Sequence, residues 1–320
     1  MKRILLVFTL LAAFSVYGQN QLVTTAAQVG DSTRKAAPWK LSGLYSASMV
    51  QTSLVNWAAG GSNNVNVNGL IKQLAVYSKN KWVWNNLLEA NFGYNFQNNN
   101  ELKTDDRLEF TTRLDRELHN ENWRLSLFAN LRTQFADGFT NADDTVRISG
   151  FMAPAYLTYG LGLTNKSIKG LGIYLSPIQV KQTFVLDSML FYENKFFQTS
   201  APHVSTLADG GMRTELGAYL DVFYKASLAE NVEVASRLNL FSNYLDRPQN
   251  IDVNWEFIIL IKALKVFTVS LQLNLLYDND VNVRYAGDQP TADGVFNAPG
   301  TQYKQILGVG LAYSFGEFKK

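Results

Sequence analysis

Trp123-Arg-Leu-Ser-Leu-Phe-Ala-Asn-Leu-Arg-Thr-Gln-Phe135 alternates between two kinds of side chain, one residue at a time. Trp123, Leu125, Leu127, Ala129, Leu131 and Phe135 fall on one parity, and Arg124, Ser126, Asn130, Arg132 and Gln134 on the other. A period of two marks an extended strand whose successive side chains point to opposite faces, so this strand has one apolar and one charged face. The pattern returns at Phe267, Val269, Leu271, Leu273, Leu275 and Tyr277, opposed by Thr268, Ser270, Gln272, Asn274 and Asp278. It returns again at Met212, Leu216, Ala218, Leu220, Val222 and Tyr224, opposed by Arg213, Glu215, Asp221 and Lys225.

One-faced alternation also fits a soluble sandwich, whose core the apolar face would line. Three features point instead to a barrel in a membrane. From Trp123 to Phe135 the chain rises roughly 30 Å, at about 3.3 Å per residue and a tilt near ~40°, enough for an apolar band of about 25 Å. Sandwich strands are about half as long. Aromatics end the apolar faces, as in Trp82 and Trp84 against Tyr94 and Phe96, or Phe267 against Tyr277, which is the placement of interfacial girdles. Connections also alternate in length. Tight turns fall at Ser78 to Lys81, His119 to Asn122, Asn165 to Gly170, Ala229 to Asn231 and Ala263 to Lys265. Longer links fall at Asn56 to Asn64, Gln97 to Asp105, Ala136 to Met152, Asp187 to Asp209, Leu245 to Asp252 and Asn279 to Gln302.

The expected fold is therefore all-β, a closed antiparallel transmembrane β-barrel over residues 39–320. It has about twelve strands, short periplasmic turns, long extracellular loops and both termini on the periplasmic side. Alternation is mixed over Val65 to Tyr77 and over Leu171 to Leu186, where Pro177 must occupy a bulge or a non-bonding position. The last strand, Gln305 to Phe315, alternates Leu307, Val309, Leu311, Tyr313 and Phe315, the kind of ending that barrel-assembly machinery receives during biogenesis. Many barrels end on that aromatic, whereas here Gly316 to Lys320 follows.

Lys2 and Arg3 precede an apolar run, Ile4 to Phe14, and Val16-Tyr17-Gly18 suits a cleavage site, so residues 1–18 read as a signal peptide. The run is short of the roughly 20 residues that a spanning helix needs. Residues 19–38, polar and ended by Pro38, read as a disordered periplasmic lead-in. The 29 Lys and Arg nearly balance the 27 Asp and Glu, so there is no basic surplus for nucleic acid. Cysteine is absent, which excludes disulfides, thiol nucleophiles and cysteine-ligated zinc.

A charged side chain at the bilayer midplane costs roughly 2 to 4 kcal/mol on a barrel's outer surface, so the charged parity must face the lumen. That rule places Glu89, Arg107, Glu109, Arg113, Asp115, Arg124, Arg132, Arg213, Glu215, Asp221, Lys225, Glu233, Arg237, Glu256 and Lys262 inside. Two readings of these charges stand open. Rows such as Arg113, Asp115, Arg124, Arg213 and Glu215 pair across strands and plug the barrel, or they line a path for a small polar solute. The near balance of signs favours a plug or a tight channel over an open ion pore.

Six phrases together resemble an uncharacterised family of Bacteroidota outer-membrane proteins, a domain of unknown function. They are Gln51-Thr-Ser-Leu-Val-Asn-Trp57-Ala-Ala-Gly-Gly61, Lys103-Thr-Asp-Asp106, Arg132-Thr-Gln-Phe135, Phe151-Met-Ala-Pro-Ala-Tyr156, Asn243-Tyr-Leu245 and Pro248-Gln-Asn-Ile-Asp-Val-Asn-Trp255. The resemblance runs over nearly the whole mature chain and implies an outer-membrane barrel, with no activity or functional residue to carry over.

Other constellations read more simply as structure. His203 and Ser205 have the spacing of an outer-membrane phospholipase pair, but no orienting Asn or Asp accompanies them. Asp105-Asp106, Asp143-Asp144 and Asp278 with Asp280 are acidic pairs without a calcium-loop pattern. Gly160-Leu-Gly162 and Gly308-Val-Gly310 lie within strand patterns, where glycine lets a barrel curve. The expected function is a porin-like, non-enzymatic barrel in the outer membrane, in contact with its lipid, without a cofactor, binding or passing a small polar solute. A structural anchor for surface loops and an enzyme acting on envelope lipid are the alternatives.

Overall fold

The computed structural model describes residues 38–52, 64–97, 100–119, 122–139, 147–193, 203–262, 267–282, 299–311 and 313–315. The expected signal peptide at 1–18, the expected lead-in short of Pro38, Trp57 and Gly61, the expected turn Ala263 to Lys265, and Asp143 and Asp144 lie outside them. Strands take up most of the described chain: β1 (Trp39–Thr52), β2 (Asn64–Lys79), β3 (Trp82–Gln97), β4 (Asn100–Glu117), β5 (Trp123–Thr133), β6 (Gly138–Phe139), β7 (Arg147–Ser149), β8 (Ala155–Asn165), β9 (Leu171–Val185), β10 (Val204–Leu207), β11 (Gly210–Ala229), β12 (Val232–Asn243), β13 (Ile251–Lys262), β14 (Phe267–Asn282), β15 (Pro299–Leu311) and β16 (Tyr313–Phe315). No described helix is long and apolar enough to cross a membrane.

The long strands form one antiparallel sheet in the order β15-β14-β13-β12-β11-β9-β8-β5-β4-β3-β2-β1-β16. Nearly every strand pairs with the next long strand in the chain, because links this short permit only hairpins. The two ends of that order, β15 and β16, are separated in the chain by residue 312 alone. One pairs with β14 and the other with β1. β10 lies against the start of β11, and β6 pairs with β7 apart from the sheet.

The two faces differ as the alternation requires. One is apolar and open: Leu161 is 50% and Ile178 63% exposed, and Leu88, Leu125, Leu127, Leu131, Leu163 and Leu175 lie on the same side. Aromatics bound this band. Towards the tight turns Trp39 lies 5.2 Å from Tyr77 and 5.8 Å from Trp84, and Arg116 sits 5.5 Å over the Trp82 ring. At the other end Phe92 lies 5.0 Å from Tyr94 and 6.3 Å from Phe135. The opposite face is polar yet buried, with Asp115 at 0% and Lys72 at 1% exposure.

Burial of a polar face requires that the sheet curl around it. Phe128 on β5 and Tyr219 on β11 stand three places apart in the strand order, about 14 Å across a flat sheet. Their ring centroids are 6.5 Å apart. Lys181 on β9 reaches Asp252 on β13, also three places away, at 3.4 Å.

Turn chemistry fits the ends. Asn80, in the two-residue turn between β2 and β3, has φ 53°, a left-handed conformation that asparagine tolerates. Gly170 has φ 80°, its carbonyl oxygen accepts from Lys225 N, and a Cβ there would overlap the Lys225 backbone. Two expected links are strand in part. Gln97 and Asn100 to Asp105 belong to the β3–β4 ladder, with Gln97 opposite Asn100, and β14 runs on to Asn282. Polar residues on both parities hid these extensions, since a ladder that outruns the apolar band loses its alternation. Pro177 sits where the register slips: Gln179 opposes Gly217 but Ser176 opposes Tyr219, so β9 holds one extra residue. A proline needs no ladder donor at such a bulge.

Candidate functional site

The charges of the inner face gather into clusters, made by residues in register, diagonal across a strand pair or two apart on one strand. On β2 to β5 a chain runs from Lys72 to Glu89, to Arg107, to Glu109, to Asn130. Lys72 pairs with Glu89, and Arg107 spans Glu89 at 3.5 Å and Glu109 at 3.3 Å. Asn130 Nδ2 donates to Glu109 at 2.7 Å. The ladder sets Glu89 directly opposite Glu109, a like-charge contact that Arg107 relieves.

Asp115, fully buried, receives the Arg113 guanidinium at 2.9 Å and the Ser126 hydroxyl at 2.6 Å. Arg124 meets Glu117 at 3.0 Å. On the facing wall Arg237 donates twice to Asp221, at 3.1 and 3.2 Å, and Asn239 adds a third donor. Lys225 pairs with Glu233 at 3.4 Å. Nearer the loops Lys181 holds Glu215 and Asp252, Arg213 holds Glu215 at 3.1 Å, and Lys181 lies 5.2 Å over the Phe241 ring.

Of the residues expected inside, Glu89, Arg113, Asp115, Arg124, Glu215, Asp221 and Glu233 are buried, and Arg107, Glu109, Arg213, Lys225, Arg237 and Glu256 are half-buried. Arg132 shares their face but is exposed at the loop end, stacked 4.8 Å over Tyr156. Lys262 pairs in register with Thr268, and its side chain lies outside the description. The expected cross-strand pairing holds for Arg124 with Glu117. Arg113 with Asp115 and Arg213 with Glu215 are partners along one strand instead. Residues two apart share a face, and the arginine side chain is long enough to bridge them.

Sequence reading missed Lys72, Lys181 and Asp252. Lys72 hides among Leu70, Leu74 and Val76, which share its face, and Lys181 lies beyond the bulge that reverses the parity of β9. Phe128 and Tyr219 were legible from parity alone, since they share the parity of Arg124 and Ser126 and of Asp221.

The walls meet. Phe128, Tyr174 and Tyr219 form a cluster with ring centroids 5.8 to 6.5 Å apart. Gly160 and Gly162 make room beside them, because a Cβ at either would overlap Gln179 or Tyr174 and the β9 backbone. Arg107 on β4 lies near enough to Glu256 on β13, six places away in the strand order, for their charges to interact. Glu109 on β4 is likewise near enough to Arg237 on β12, five places away, for their charges to interact. On the tight-turn half of the interior, Leu44, Leu70, Leu74, Val76, Val83 and Leu87 form a dry cluster.

At the loop end, three of the phrases that carry the family resemblance converge. Lys103 Nζ donates to Gln134 Oε1 at 3.0 Å and to Ala136 O at 2.6 Å. The Asp106 carboxylate pairs with Lys103 and accepts from Phe135 N at 2.7 Å and Ala136 N at 2.9 Å. Thr133 Oγ1 accepts from Met152 N and donates to Pro154 O. Asp106 thus serves a loop. His203 and Ser205 are both exposed, and no hydrogen bond joins them among the described residues. No group of three or more potential metal ligands occurs among the described residues.

Residues 49–139 match the family described as protein of unknown function, DUF3078. No curated protein sequence matches the chain. Among solved structures, an outer-membrane channel from Pseudomonas putida F1 aligns at 14% identity and TM-score 0.40, covering 90% of this chain and 100% of that one. The NanC porin aligns at 9% identity and TM-score 0.35, covering 84% and 98%. OmpT, an outer membrane protein of Vibrio cholerae, aligns at 6% identity and TM-score 0.31, covering 88% and 99%.

Proposed function

We propose that the sheet closes into a transmembrane barrel of a bacterial outer membrane, and that its interior binds or passes a small polar solute along a narrow, self-paired path. The observation that carries this is the pairing of an exposed apolar face, bounded by aromatics, with a buried face of mutually neutralised charges. Only lipid makes the first stable at this extent, and only enclosure makes the second so. β15 and β16 support closure: they keep one parity across residue 312, and read as one strand they bring the count to twelve. The barrel contacts outer-membrane lipid and reaches it through the barrel-assembly machinery. It needs no cofactor, binds no nucleic acid and catalyses no reaction. The phrases shared with the Bacteroidota family support an origin in that phylum.

The dry cluster of Leu44, Leu70, Leu74, Val76, Val83 and Leu87 favours a second reading, a plugged barrel that only anchors its loops. Single-channel recording of the refolded protein in a planar bilayer separates the two, with heat-modifiable gel mobility certifying the fold. Small, brief current steps are the expected result for a tight path. Large ohmic steps overturn the narrow path. Silence from a folded barrel, with no solute uptake into proteoliposomes, leaves the anchor.

A further inference from the structure

The segment after β9 turns inward. Gly211 shares the parity of Arg213 and Glu215, so a Cβ on it would point into the interior, and there it would overlap the Phe191 ring. Phe191 is fully buried, and Leu190 is 1% exposed. Both pack with Ala153 and with Val185, which lies on the inner parity of β9 after the bulge, and Val204 adjoins them. The segment 186–192 therefore occupies the loop-side mouth between β8, β9 and β11.

Its attachments are few and identifiable. Asp187 Oδ1 accepts from Leu190 N at 3.0 Å, which folds the turn, and Leu186 N donates to Met152 O at 3.0 Å. The Asp187 carboxylate also pairs with Arg147, which holds Asp137 at 3.1 Å with its other terminal nitrogen. Asp137 follows Ala136, the residue that Lys103 and Asp106 fasten. A single belt thus crosses the mouth from β4 to β11, and Arg147 is its central ionic link.

Resting on the solute-path reading above, we infer that residues 186–192 form a lid over the path, seated by Phe191 against Gly211 and held shut by Arg147. An ion pair that is only part-buried makes a weak closure, so the lid opens locally while the sheet stays folded. The lid admits a solute when Phe191 leaves its glycine seat.

The chain has no cysteine, so Leu190→Cys gives a single reporter in the full-length refolded protein. A membrane-impermeant maleimide should label it slowly, and about tenfold faster once Arg147→Ala is added, as local opening gains population. Arg147→Ala and Phe191→Ala, each in the otherwise unchanged chain, should raise single-channel conductance, and heat-modifiable mobility confirms that each variant folds. Labelling that Arg147→Ala leaves unchanged overturns the lid. Faster labelling with unchanged conductance, in a protein whose current does rise on widening the interior by Phe128→Ala, overturns its barrier role and spares the path. Faster labelling with no current in any variant, Phe128→Ala included, overturns the path itself and the gating role with it.

Discussion

Arg107 answers a problem that the ladder creates. β3 and β4 place Glu89 and Glu109 face to face, and two carboxylates so placed repel unless a cation lies between them. Arg107 reaches both, while Lys72 and Asn130 satisfy the outer sides of the pair. Replacing Arg107 with methionine keeps much of the volume and leaves the two carboxylates unrelieved. Removing one partner of a fully buried ion pair costs about 3 to 5 kcal/mol, and the residual exposure of Arg107 brings the expected loss to about 2 to 3 kcal/mol. Urea unfolding in lipid vesicles measures it. Adding Glu109→Gln to Arg107→Met should restore about half or more of the loss, since it removes the repulsion rather than the packing. An Arg107→Met protein as stable as the parent would show that water, not Arg107, neutralises the pair. The negative partners were legible in the sequence because they sit on clean alternating strands. Lys72 was not, because inward-facing leucines and valines give β2 two apolar faces, and parity then carries no charge signal.

β9 shows why strand pattern alone places some residues on the wrong face. Before Pro177 the inward residues are Gly172, Tyr174 and Ser176, and after it they are Gln179, Lys181 and Thr183, because the extra residue reverses the count. The proline announced a bulge from the sequence, but the residue at which parity reverses follows only from the pairing with Gly217 and Tyr219. The long alternating strands β5, β11 and β14 were readable because apolar and polar residues alternate along each of them. Deleting Pro177 removes the extra residue and leaves Ser176, Gln179, Lys181 and Thr183 on one unbroken parity, so Lys181 keeps Glu215 and Asp252. Exchanging Val180 and Lys181 instead moves the cation to the apolar face, where it costs up to roughly 2 to 4 kcal/mol. The exchange variant should refold into detergent or lipid at less than about a tenth of the parental yield, read as the heat-modifiable band, whereas the Pro177 deletion should refold nearly as well as the parent. Equal yields for the exchange variant and the parent would mean that the face Lys181 occupies does not matter to the fold, and a deletion variant that fails to refold would mean that the bulge does more than shift parity.

At the scale of the whole molecule the buried face is crossed by side-chain contacts yet too polar to be a simple core. In the proposed barrel, twelve strands would enclose a space between those of side-chain-filled and water-filled barrels, so the side chains that reach across it would decide which kind it resembles. Phe128 and Tyr219 reach across it, stacking at 6.5 Å from walls three strands apart, with Tyr174 against both. Around them Arg113 with Asp115 and Arg237 with Asp221 are already neutralised, so charge within this waist offers little net attraction to an ion of either sign. A path through it therefore selects by size and hydrogen bonding more than by charge. Phe128→Ala with Tyr219→Ala removes two rings from the waist while leaving every ion pair of both walls in place. The double variant should keep its heat-modifiable mobility and lose about 3 kcal/mol or more of stability, because the emptied volume is polar-walled and fills with water rather than collapsing. Its conductance should rise severalfold over that of the parent, and cation-to-anion permeability, measured as reversal potential in a salt gradient, should stay near unity because the balanced charges remain. If the current does not change, the resistance lies elsewhere along the interior, and the dry cluster of Leu44, Leu74 and Val83 at the tight-turn end is then the barrier. A strong shift to one ionic sign would instead mean that the charge pairs separate once the rings are gone, so that the aromatics hold those pairs together as well as narrowing the path.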